Sequence, residues 1–198
     1  MRLISAALIA LAASALPASA VDFPDLFEAT SPDFADNAIL DADTASTGKS
    51  RRGPWECGGK NLAPAISWKN APKDTKSFAV LMDDPDAAMG RGGNHWIVYG
   101  IPPTATGLPR GAKEAPGVYV AGDSGHLGEY HGACAEPGAK AHHFIFYVYA
   151  LKLDPGALPR GLTKAQFLEK ALEHRTAQAS IVARYQRNGD GSAAVERK

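Results

Sequence analysis

His143-Phe144-Ile145-Phe146-Tyr147-Val148-Tyr149-Ala150-Leu151 is the longest apolar run after residue 20, and its β-branched and aromatic content argues strand rather than helix. Two further runs share its character. Ser77-Phe78-Ala79-Val80-Leu81-Met82 is stopped by Asp83-Asp84-Pro85-Asp86, and His95-Trp96-Ile97-Val98-Tyr99-Gly100-Ile101 by Pro102-Pro103. Together the three make the centre of a sheet. Working outward, Ile66 and Trp68 alternate with polar neighbours between two turn signals, Gly58-Gly59-Lys60-Asn61 and Ala71-Pro72-Lys73-Asp74, which reads as a short half-buried strand. Residues 21–56 read as an irregular lead-in holding one short strand. The connections 102–117 and 121–141 are too long for hairpins and are candidate functional loops. Helical signals come only at the end. Thr163-Lys164-Ala165-Gln166 is a capping box leading a face of Ala165, Leu168, Ala171 and Leu172. A second helix is expected over Thr176–Arg187, with Ala177, Ile181, Val182 and Tyr185 on one face and Asn188-Gly189 as its stop. The expected class is mostly β with peripheral helices.

The chain has 198 residues, 45% apolar and 21% charged, with 21 basic against 21 acidic side chains. This balance excludes a disordered tail and a dedicated nucleic-acid binder, which need high net charge or a basic excess. Residues 1–20 carry a short positive start, an apolar run from Leu3 to Leu16 and a Pro17-Ala18-Ser19-Ala20 end, the order of a cleavable signal peptide. The run is too short to span a bilayer and no later stretch approaches that length, so no transmembrane segment is expected after leader removal. No Cys follows Ala20, which argues against a lipoprotein anchor. The expected organisation is a leader over 1–20, a single domain over 21–188 and a frayed polar tail over 189–198, in a periplasmic or secreted protein. In an oxidising compartment Cys57 and Cys134 are each other's only candidate partner. A disulfide is the favoured reading, against two unpaired buried thiols near one site.

Five of the six histidines, His95, His126, His131, His142 and His143, lie in one part of the chain, and His95 and His142 each begin a core strand. Asp84 and Asp86 lie at the end of another. Side chains at strand ends meet where loops begin and are held by a rigid sheet. A histidine held by a carboxylate through one ring nitrogen presents the other to a ligand. Two such imidazoles with a backbone N–H from a loop such as that of Gly132 suit phosphate or carboxylate, and an adjacent aspartate suits an ammonium group. The combination points to an anionic small molecule or a phosphoethanolamine-type headgroup. Metal ligation is disfavoured: there is no H-E-x-x-H, and the adjacent His142 and His143 point to opposite faces of a strand. There is no G-x-S-x-G elbow, and Gly90-Arg91-Gly92-Gly93 lacks the Lys and Ser/Thr of a phosphate loop. A disulfide would also remove a Cys nucleophile.

Taken in order, Cys57-Gly58-Gly59-Lys60-Asn61, Asp84-Pro85-Asp86-Ala87, His95-Trp96, Tyr130-His131-Gly132-Ala133-Cys134 and His142-His143-Phe144 resemble the phosphatidylethanolamine-binding protein family. The likeness is to its bacterial Raf-kinase-inhibitor-like branch and runs from about Phe27 to Arg187. It implies a β-fold with a large central sheet, a smaller sheet and C-terminal helices, and a small anion or phospholipid-headgroup pocket. Carried over by position, the implied ligand-binding residues are Asp84, Asp86, His95, Tyr130, Gly132 and His142, with Tyr185 as a bordering aromatic. No cofactor is implied. Three positions depart from the family pattern: Ala88 replaces a Pro, Cys134-Ala135-Glu136 replaces C-P-P, and Phe144 stands where many members carry Tyr. Glu136, if turned inward, would weaken anion binding by like-charge repulsion. The expected function is a non-enzymatic exported binding protein, with inhibition or modulation of a partner protein as a further expectation. The alternative is a hydrolase using an Asp and a His of the pocket as acid and base.

Overall fold

The computed structural model describes residues 26–50, 52–112, 119–120 and 129–195. The leader reading at 1–20 and His126 lie outside these residues. In chain order the strands are β1 (Glu28–Thr30), β2 (Ala38–Ile39), β3 (Ile66–Lys69), β4 (Ser77–Asp84), β5 (Gly93–Ile101), β6 (Gly107–Leu108), β7 (Tyr119–Val120), β8 (His142–Leu151) and β9 (Arg175–Tyr185), with one helix, α1 (Lys164–Leu172), between the last two. Six strands form the main sheet in the order β2-β9-β8-β4-β5-β7, and β1-β3-β6 form a smaller one. The three apolar runs are therefore neighbours, β8-β4-β5, and antiparallel throughout.

Their sequences are continuously apolar because both faces of the main sheet are covered. Phe78, Val80, Met82, Trp96, Val98, Phe144, Phe146 and Val148 share a core with Ile66, Trp68 and Leu108 of the small sheet. On the other face Ala79, Leu81, Ile97, Tyr99, Tyr149 and Leu151 meet Leu162, Phe167 and Ala171 of α1 and its approach. The capping box is present as read, Thr163 accepting from the Gln166 N–H and Gln166 accepting from the Thr163 N–H. The buried face of α1 is Phe167 and Ala171, whereas Leu172 is exposed. Lys164 reaches Asp83 at 2.6 Å and pins the end of β4 from the helix side.

The expected second helix is a strand. Residues 175–185 pair antiparallel with β8 in ten register positions, among them Phe144 with Ala183 and Phe146 with Ile181. The segment is rich in Ala, a strong helix former. Its odd positions, Ala177, Ala179, Ile181, Ala183 and Tyr185, also form an unbroken period-2 apolar face. Pairing with the open edge of β8 decides between the two periods, because a helix there would leave the N–H and C=O groups of a core strand unpartnered. The lead-in holds two short strands and a 3-10 turn at Ala42–Thr44 rather than one strand. The tail is also more ordered than its composition suggests. Residues 186–194 fold back as a tight hairpin, Asn188 N–H donating to Ser192 C=O and Ala194 N–H to Gln186 C=O.

Cys57 and Cys134 are bridged across 77 positions, with Cα atoms 5.0 Å apart. Closing a loop of that size is worth at most about 4 kcal/mol of lost unfolded-state entropy. The Cys57→Ser/Cys134→Ser double variant should lose roughly 2–4 kcal/mol, read as a lower urea midpoint with an unchanged far-ultraviolet spectrum.

Candidate functional site

The C-terminal end of β4 and the N-terminal ends of β5 and β8 meet at one edge of the main sheet. Asp84 is there because β4 ends in an Asx turn: its Oδ1 accepts from the N–H groups of Asp86 (3.0 Å) and Ala87 (3.1 Å). Its Oδ2 accepts from His142 Nδ1 at 2.8 Å and lies 3.9 Å from His95 Nε2. The carboxylate is only 3% exposed. His95 enters through a bulge. Met82 pairs with Trp96 and Asp83 with Asn94, so His95 is the extra residue of β5. Its Nδ1 faces the His131 carbonyl at 2.7 Å and therefore carries a proton, while the His131 N–H donates to the His95 carbonyl at 2.9 Å.

The two imidazoles on Asp84 are tuned in opposite directions. The hydrogen bond that His142 donates to Asp84 pushes the His142 pKa up, whereas burial pushes that of His95 down. The charged form is therefore favoured at His142 and opposed at His95.

A wall of three loop segments faces this edge. Segment 43–50 takes the N–H groups of Gly59 at the Ser46 carbonyl and Asn61 at the Ala45 carbonyl, and its own Ser46 N–H donates to the Ala133 carbonyl. Ala45 is completely buried between Gly59 and Gly132. A Cβ on Gly59 would meet the Ala45 carbonyl at 2.1 Å, and one on Gly132 the Thr44 carbonyl at 2.2 Å, so both glycines are required by close approach of backbones. The Asn61 side chain donates to the Tyr130 carbonyl and accepts from the Gly132 N–H, both at 2.8 Å. The disulfide crosses the same seam. Wall and sheet edge enclose a cleft of about 790 Å³ whose lining includes Asp84, His95, His131, His142, Trp55 and Phe144.

Residues 30–186 match the family model of phosphatidylethanolamine-binding protein. The chain belongs to the phosphatidylethanolamine-binding protein family. It is 36% identical over 138 residues to the UPF0098 protein of Aquifex aeolicus, covering 68% of this chain and 80% of that one. It is 34% identical over 160 residues to LppC of Mycobacterium tuberculosis, which carries a lipoprotein name, covering 79% and 70%. The crystal structure of Escherichia coli YbcL, a member of the mammalian PEBP family, superposes with a TM-score of 0.71 at 31% identity, covering 81% of this chain and 98% of YbcL.

Within this member of the family the implied site residues separate into two groups. Asp84, His95, Tyr130 and His142 line the cleft. Asp86 does not: its carboxylate takes both the backbone N–H and Nδ1 of His143 at 2.8 Å, and these interactions hold it below the usual carboxylate range. His143 faces away from His142, as strand parity requires. The Gly132 N–H is already given to Asn61, so it is not an anion donor. The Tyr130 hydroxyl donates to the Thr44 carbonyl at 2.9 Å, and burial raises its pKa, leaving it a neutral anchor. Tyr185 is a core residue opposite His142 on β9 rather than a cleft border. Asp84 has its oxygens engaged within the protein, so it does not supply the ammonium acceptor expected from the sequence.

Residues that sequence reasoning missed are His131, Asn61, Trp55, Lys49 and Arg52. Trp55 packs over Gly53, and its buried Nε1 has no hydrogen-bond partner among the described residues. His131 carried a signal as a histidine within the Tyr130–Cys134 motif, and Asn61 as the end of the Cys57–Asn61 motif. Glu136 lies on the exposed rim with Glu129, where solvent screens it. Ala88 and Met89 both take left-handed backbone, φ 52° and 59°, at the cleft's edge. A Pro at position 88 could not adopt that φ. The departure from D-P-D-A-P therefore changes the shape of the turn.

The opposed histidine shifts give stability a two-sided pH dependence. His142, raised in the folded state, contributes stability that is present below about pH 6.5 and lost as pH rises through its folded value. His95, lowered in the folded state, costs stability as pH falls below about 6.5, where the unfolded chain takes up a proton that the folded chain refuses. Asp84→Asn keeps the turn acceptor and removes the charge. It should lower the His142 titration midpoint by NMR and flatten the alkaline limb of a urea-midpoint profile.

Proposed function

We propose that the chain is an exported, non-catalytic binding protein whose cleft takes an anionic group of the phosphate or phospholipid-headgroup class. The observation that carries this reading is the Asp84–His142 pair. A buried carboxylate fully used by protein donors fixes the His142 ring and favours its charged form, leaving Nε2 as the group it can offer to a ligand. The anion side of the headgroup is the side supported, because the carboxylates that would receive an ammonium group are engaged elsewhere. The ligand-binding set is then His142 and His95, with Asp84 positioning both and Tyr130 and Gly132 shaping the wall.

Export is supported by the leader-like residues 1–20, by the disulfide and by the lipoprotein name of a relative. Among the described residues no helix is long and apolar enough to cross a membrane. The bridge leaves neither cysteine as a thiolate nucleophile.

A titration with inorganic phosphate and phosphoethanolamine, following the ring signals of His95 and His142, tests the reading. Both signals should move at millimolar ligand, and affinity should fall as pH rises through the His142 midpoint. His142→Ala should weaken binding about tenfold or more, the worth of one hydrogen bond to a charged group. Still ring signals at millimolar ligand would defeat the reading. Turnover of a phosphoester or carboxyl-ester panel that disappears in His95→Ala would replace it with the hydrolase.

A further inference from the structure

Three imidazoles reach the cleft, and the third is His131. Its ring lies near-parallel to His95, with centroids 5.6 Å apart and planes inclined by 26°. Its backbone is clamped to His95 at both its N–H and its C=O, so the two rings are held in one relation. The segment carrying it is fixed on either side by Tyr130 on Thr44, by Asn61 on both the Tyr130 carbonyl and the Gly132 N–H, and by the disulfide at Cys134. His131 is therefore placed as rigidly as the residues on the strands, although it belongs to a loop.

The charges around the cleft give this placement its consequence. With all three rings neutral the lining carries two cations, Lys49 and Arg52, against three carboxylates, Asp84, Glu129 and Glu136, and its sign opposes an anion. Protonating His131 and His142, with burial opposing the charge on His95, reverses the sign and leaves one net positive charge. A positive lining attracts the two charges of a phosphomonoester dianion more strongly than the single charge of a phosphodiester. The other charged groups near this edge do not alter the sum, because Asp86 and His143 are closed on each other outside the cleft and Asp83 is paired with Lys164 on the opposite face. We infer that His131 is a third ligand-contacting imidazole and that the cleft selects phosphomonoester dianions over phosphodiesters by taking up protons as the dianion enters. This rests on the anion-binding reading above and narrows its ligand class.

The experiment is calorimetry on the intact disulfide-bonded protein at pH 7.5, in buffers of different ionisation enthalpy. Phosphoethanolamine serves as the monoester and glycerophosphoethanolamine as the diester. The monoester should bind about tenfold more tightly, with net proton uptake. His131→Gln should reduce that uptake and most of the preference, with the urea midpoint unchanged. A measurement on the unmodified chain guards against a variant that fails to fold: the His131 ring titration midpoint should move to higher pH when phosphoethanolamine is bound. Equal affinity for monoester and diester, or an unmoved His131 midpoint on binding, would overturn the inference and leave the anion-binding reading standing. Binding of neither compound would overturn both.

Discussion

A single buried carboxylate organises the functional edge of this molecule. Asp84 terminates β4 by capping its own turn with one oxygen and takes His142 with the other, so it joins the end of one strand to the start of another. A charge with so little solvent is tolerated only when its lone pairs are met, and here two backbone N–H groups and one imidazole meet them. The same negative charge then sets the character of its neighbours. It favours the cation on His142, which is partly open to solvent, but does not overcome burial at His95, whose pKa is lowered. Two rings of one residue type, about equally close in sequence to a strand end, acquire different chemistry because one is hydrogen-bonded to Asp84 and partly open while the other is buried.

The facing wall is held by a different kind of constraint, the close approach of backbones. Gly59 and Gly132 press on Ala45 and Thr44 at distances that admit no side chain, Asn61 supplies the polar contacts that a paired strand would otherwise provide, and the disulfide closes the seam. This wall has no regular secondary structure, yet it is tied down at many points. It can therefore hold His131 against His95 with the steadiness that the sheet gives to His142.

Much of this was legible before any coordinates. β4, β5 and β8 were evident because a strand covered on both faces is apolar at nearly every position. Asp84, His95 and His142 were evident because they sit where those runs stop or start. The Thr163 capping box was legible because its interactions are local. β9 was not, since Ala177 to Tyr185 fits both a helical and a strand period, and only the open edge of β8 decides between them. The role of Asn61 was equally hidden, because its partners lie about seventy positions away.

Residue order thus settled the strands of the sheet centre, the family and the polar side chains available at one end of the sheet. It did not settle which of them would share a cleft. Asp84 and Asp86 are two positions apart and chemically identical, yet one supports His142 and the other is spent on His143. Gly132 looked like a donor and proved to be a spacer. His95 points into the cleft through a bulge whose position depends on how β5 is paired with β4. These outcomes follow from strand register and loop packing, which are non-local: shifting a pairing by one residue turns every side chain to the other face. The chemistry was written into residue types, but its geometry was decided when distant segments met.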